Sequence, residues 1–218
     1  MVLTTRIHMK GLITAMVCLA WLGSFAQNSK LESEGAPWIA SDLLATPKGW
    51  SVGHSLLANE ISYAGREEVL LMPGWSNPQS DEYWTYASMW SLDHAPQMNE
   101  ETIKSSLTAY FTGLLNRNIE KQKIPTKKIL PVKTWITALT AENDDLKTFY
   151  GAIAMLDYKQ QNPISLNCIV HVRICPGQAK TIVFYELSPK PLTHAIWKGL
   201  DKLWLDFNCA PVQPDSSN

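Results

Sequence analysis

A single apolar stripe constrains this chain more than any other feature. Ile103, Leu107, Tyr110, Phe111, Leu114, Leu115 and Ile119 recur at helical spacing and fall on one face of a helix with about 3.6 residues per turn. Asn99 can cap that helix, and Glu100 and Glu101 place carboxylates in its first turn, where the helix dipole favours them. A basic, proline-containing loop over 121–128 ends it. A second stripe, Ile196, Leu200, Leu203, Trp204 and Phe207, predicts a closing helix over 192–207. A helix with one apolar face needs a surface to lie on, and the rest of the chain offers strands.

Three strand-like runs precede the first helix: WSVGHSLL over 50–57, EEVLLM over 67–72, which Pro73-Gly74 stops, and 83–92. In the third, Trp84, Tyr86, Trp90 and Leu92 share one parity while Thr85, Ala87 and Ser91 share the other, so the aromatic set is expected to face a core. Four more runs lie between the helices, over 132–140, 146–158, 164–175 and 181–187. Asn143-Asp144-Asp145, Asn162-Pro163 and Pro176-Gly177 join them by short turns, which makes an antiparallel meander. The expected fold is α+β, an antiparallel sheet packed by two amphipathic helices in the order strands, helix, four strands, helix. It occupies 49–210 as one domain, after an irregular lead-in over 27–48 that Trp38 and Ile39 anchor, and before a flexible tail over 211–218.

The first 26 residues predict the compartment. Arg6 and Lys10 precede the apolar run GLITAMVCLAWLG, and Ser24-Phe25-Ala26 supplies the small residues of a signal-peptidase site, so the mature chain is expected in the periplasm or outside the cell. That run is shorter than the roughly 20 residues of a transmembrane span, and no later segment is apolar enough to serve as one. The signal holds two of the 19 Lys and Arg and none of the 20 Asp and Glu, so the mature chain is slightly acidic. Such a balance gives no electrostatic footprint for nucleic acid.

In an oxidising compartment the remaining Cys168, Cys175 and Cys209 allow one disulfide. Cys168 and Cys175 stand roughly 23 Å apart along one strand at about 3.3 Å per residue, too far to bond. A returning strand and a closing helix of about 24 Å bring Cys209 level with Cys175, so the expected pair is Cys175 to Cys209. On the same strand Ile164, Leu166, Cys168, Val170, Val172 and Ile174 form the core face, and Ser165, Asn167, His171 and Arg173 share the opposite one. His171 and Arg173 stand about 7 Å apart and could cradle a carboxylate or phosphate; the plainer expectation is a polar sheet face in water.

Catalytic constellations are sparse. No Gly-x-Ser-x-Gly, His-Glu-x-x-His, Cys-x-x-Cys or Gly-rich phosphate loop occurs, and the scattered histidines show no metal-ligand spacing, so no metal or cofactor is expected. Asp93-His94 at a strand end could join His54 or His171 around a metal or orient a base, and Glu67-Glu68 reads as a solvated turn. Trp75 and Tyr83 flank the turn over 76–81, outside the strand alternation, and are candidate ligand contacts together with His171 and Arg173.

Pro47-Lys48-Gly49-Trp50, the meander and a closing helix bearing Trp resemble the PsbP-like α/β/α sandwich. The blocks Pro73-Gly74-Trp75 and Tyr83-Trp84-Thr85-Tyr86 resemble an uncharacterised family of secreted proteins from Bacteroidetes-type bacteria. The first resemblance implies a binding or assembly role and transfers no functional residue. The functional expectation is therefore a secreted or periplasmic, non-enzymatic binding or assembly module for a small molecule, glycan or protein partner. The alternative is a hydrolase working through Asp93, His94 or His171.

Overall fold

The computed structural model describes residue 44, residues 46–56 and residues 58–209. The expected signal segment, Trp38, Ile39 and the tail over 211–218 lie outside the described residues, as does the His54 side chain. Seven strands, β1 (Ser51–Leu56), β2 (Gly65–Leu71), β3 (Tyr86–Asp93), β4 (Lys133–Leu139), β5 (Lys147–Asp157), β6 (Asn162–Cys175) and β7 (Lys180–Ser188), form one antiparallel sheet. Its order is β1-β2-β3-β7-β6-β5-β4. Helix α1 (Glu100–Gln122) links the middle of the sheet to its β4 edge, and α2 (Trp197–Leu205) follows β7. The fold is thus α+β with an antiparallel sheet.

The helix stripes divide the core in two. Ile103, Leu107, Phe111 and Leu115 of α1 bury against Trp90, Phe149, Val170, Val172 and Tyr185 on one face of the sheet. Trp197, Leu200, Leu203 and Trp204 of α2 bury against Leu70, Ala87, Met89, Ile182 and Phe184 on the other. The central strand β7 accordingly alternates between two cores, with Val183, Tyr185 and Leu187 facing α1 and Ile182 and Phe184 facing α2. This is why its sequence reads apolar on both parities. Trp84, Tyr86, Trp90 and Leu92 all belong to the α1-side core.

Asn99 caps α1: its Oδ1 accepts the Thr102 amide at 2.9 Å, and Thr102 Oγ1 accepts the Asn99 amide at 2.8 Å. This reciprocal pair satisfies donors that the first turn would otherwise leave open. At the other end the helix runs to Gln122, into the segment expected to be loop, and stops where Lys123 turns left-handed at φ 53°.

The closing helix is shorter than expected. From Pro191 the chain winds through i to i−3 bonds, His194 to Pro191 and Trp197 to His194, and regular helix begins only at Trp197. Nine residues span about 13 Å. Cys209 nevertheless meets Cys175, with their Cα atoms 5.4 Å apart and the sulfurs bonded. The turns over 191–196 and the non-helical residues 206–208 make up the rest of the path to Cys209. Cys168 is free and buried, and burial pushes its thiol pKa up.

Two polar expectations change. Glu67 and Glu68 are not a solvated turn but lie inside β2, 5% and 1% exposed. Glu67 Oε1 accepts Ser88 Oγ at 2.8 Å and Trp90 Nε1 at 3.2 Å, which is how a carboxylate is kept inside an aromatic core. Burial raises the Glu68 pKa to about 7. Nor does the face bearing His171 and Arg173 open to water, because those side chains are only 13% and 14% exposed beneath α2 and its C-terminal extension.

Candidate functional site

The β4–β5 turn and strands β6 and β7 bring a charged cluster under α2. The β4–β5 connection closes with Asp145 N–H on Glu142 O at 3.0 Å, and its central residues Asn143 and Asp144 have φ of 54° and 64°. Asn and Asp tolerate that region better than most residues. The turn delivers the Asp145 carboxylate, 1% exposed, to the surface of β6.

Four donors converge on it. His171 Nδ1 lies 2.7 Å from Oδ2, and Thr148 Oγ1 donates to Oδ2 at 3.0 Å. Arg173 Nη2 and Trp204 Nε1 donate to Oδ1 at 3.2 and 3.0 Å. His171 and Arg173 do hold a carboxylate, then, and it is the chain's own.

The aromatic side chains fix the two cations in place. The Trp204 ring stacks on His171, with centroids 5.1 Å apart and planes at 23°, and on Phe184 and Phe207 at 5.3 and 5.1 Å. The Arg173 guanidinium lies 4.3 Å over the same indole, and its Nη1 donates to Phe207 O at 3.0 Å. A guanidinium bonded at its edge and stacked on its face is rigid.

The far side of the imidazole meets a second acid. His171 Nε2 lies 3.3 Å from Glu186 Oε1, within ion-pair range but off hydrogen-bond alignment, and neither Glu186 oxygen accepts a hydrogen bond from a described residue. The Glu186 side chain is fully buried. Burial alone would pull the His171 pKa down; its hydrogen bond to Asp145 and the negative charge of Glu186 beside it outweigh burial and raise it to about 9. Burial raises the Glu186 pKa to about 7, against the pull of His171 and with a further push from Asp201. Glu142, Asn143, His171, Glu186, Asp201 and Trp204 line a cavity of about 270 Å³ at this point.

The other candidates lie elsewhere. Trp75 is half-buried, and the Lys159 Nζ sits 3.3 Å from the centre of its ring, 5.5 Å from that of Trp84 and 5.9 Å from that of Tyr83. Tyr83 donates through its hydroxyl to Asp157 Oδ2 at 2.6 Å. The rings expected to receive a ligand thus receive an internal cation. Burial lowers the Lys159 pKa to about 8, with Asp157 opposing.

Asp93 ends β3 and pairs with Lys180 across the ladder, while His94 is exposed at φ 65° with its amide on Ala179 O. The two therefore stand at a strand end, remote from His171 in the ladder: Asp93 is level with Lys180, and His171 with Phe184. Among the described residues no group of three His, Cys, Asp or Glu is placed to hold a metal ion.

Sequence reasoning missed Asp145, Glu186, Asp201, Trp204 and Lys159 as site residues. Glu186 carried a readable signal, an acid inside the apolar run TIVFYEL, because a charge in a strand covered on both faces requires a partner. No protein-family model matches the chain, and no curated protein matches it significantly.

Proposed function

We propose that the protein is a non-catalytic binding or assembly module, secreted or periplasmic in line with its N-terminal sequence, with the cavity under α2 as its ligand site. The observation that carries this reading is the fixed wall of that cavity. His171 and Arg173 are committed to Asp145 and stacked on Trp204, an arrangement that holds the shape and charge of the wall.

The test is a small-molecule screen of neutral sugars, dipeptides, carboxylates and amines by NMR, reading the Trp204 indole N–H. Saturable shifts of that signal with the compound recovered intact support the reading. Turnover of a compound that His171→Ala abolishes would overturn it in favour of the hydrolase reading. One contact favours that second reading: Asp145 orients the His171 ring from Nδ1 at 2.7 Å, as a carboxylate orients a general base. Asp93 and His94 bring no comparable contact to it.

A further inference from the structure

Glu186 is the least satisfied group in the cavity wall. Its side chain is fully buried, and both oxygens lack a hydrogen-bond donor among the described residues. Isolated buried carboxylates are costly unless a donor reaches them. The groups around it come from three segments: His171 and Arg173 on β6, Asp145 and Glu142 from the β4–β5 connection, and Asp201 on α2.

His171 and Arg173 are balanced by Asp145 and Glu186. Asp201 and Glu142 then leave the lining with an excess of negative charge. Asp201 also comes within hydrogen-bonding reach of Glu186. Two ionised carboxylates cannot donate to each other, so that contact needs either a proton or a cationic donor between them. Trp204 and Leu205 are the apolar members of the lining.

Resting on the reading of this cavity as a ligand site, we infer that it binds a small organic cation with a primary ammonium group. The ammonium donates to Glu186 and Asp201, and its alkyl part lies along Trp204 and Leu205. The chemistry selects this class. A carboxylate or phosphate would meet Glu186, Asp201 and Glu142, with the two cations already committed to Asp145. A metal ion lacks its ligand set among the described residues. An ammonium supplies three donors to a site that has acceptors to spare.

Binding of such a ligand requires Glu186 ionised, so it is linked to proton release. Titrating the intact, oxidised protein with n-butylammonium chloride, against n-butanol and sodium chloride as controls, tests this by calorimetry and by the Trp204 indole signal. The expected result is saturable binding of the amine alone, about tenfold weaker one pH unit below the Glu186 pKa than well above it. Glu186→Gln should lose at least tenfold in affinity, and Asp201→Asn, at the more exposed position, provides a second variant should Glu186→Gln fail to fold. Equal responses to butanol and butylammonium, no saturation with the amine, or amine binding unchanged in both variants would overturn the inference. A neutral or anionic compound that saturates the Trp204 signal where the amine does not would sink the ligand class alone. Turnover at the site would sink the underlying reading.

Discussion

Asp145 is the position at which the structure makes its strongest energetic claim. Its carboxylate takes hydrogen bonds from Thr148, Trp204 and Arg173 and lies 2.7 Å from His171 Nδ1, all with 1% of its side chain exposed. Asp145→Ala removes the anion and leaves His171 and Arg173 facing each other's charge in a buried site. Breaking a buried ion pair from one side costs about 3–5 kcal/mol. For a chain of this size each kcal/mol lowers Tm by roughly 2–4 °C, so the variant should melt about 6–20 °C lower.

Asp145→Asn keeps the volume and removes the charge, and it should recover part of that loss. Urea unfolding with the disulfide intact measures both. The pH dependence provides the sharper signature. His171 has a folded pKa of about 9, above the 6.5 of a free imidazole, so its contribution is complete below about pH 6.5 and is lost as pH rises through 9. The gap between the natural chain and Asp145→Asn should narrow over that window. A gap under about 1 kcal/mol, or one that stays flat from pH 6.5 to 9, would refute the claim that this carboxylate organises the cluster.

Two further outcomes can be checked on the same preparations. Reduction of Cys175–Cys209, which are 34 residues apart, should cost roughly 3–4 kcal/mol by loop entropy, and thiol labelling of the folded, oxidised protein should miss buried Cys168; labelling of Cys168 without denaturant contradicts its placement. Lys159 has its pKa lowered from 10.5 to about 8, so the folded state binds its proton less tightly and stability from this group rises as pH climbs from 8 towards 10.5. Tryptophan fluorescence should titrate near pH 8 through Trp75 and Trp84 and lose that step in Lys159→Met, whereas a step that survives the substitution would place the titrating group elsewhere.

What the sequence disclosed follows from how local its signals are. The α1 stripe and the Asn99 cap are repeated within a few residues, and the same periodicity that predicts them packs them. Alternation separated Cys168 from His171 on β6 because register fixes faces along a whole strand. The length of α2 was misjudged because its apolar stripe begins at Ile196 while the chain before it, after Pro191, closes tighter turns than a helix does.

Asp145 was legible only as a turn former. Its local role, completing the turn after Asn143-Asp144, hides its long-range one, since nothing in a stretch of seven residues shows that a strand 26 positions later supplies its cations. The same blindness misread His171 and Arg173. Their spacing suited a carboxylate or phosphate, and a carboxylate inside the chain fits that chemistry as well as one outside it. The discriminating clue lay in the acids instead. Glu67, Glu68 and Glu186 all sit in strands otherwise built for burial, and each marks a place where the fold must supply a donor or bind one. Glu67 receives Ser88 and Trp90, whereas neither oxygen of Glu186 receives a donor from a described residue, and that difference separates a structural acid from a candidate binding one.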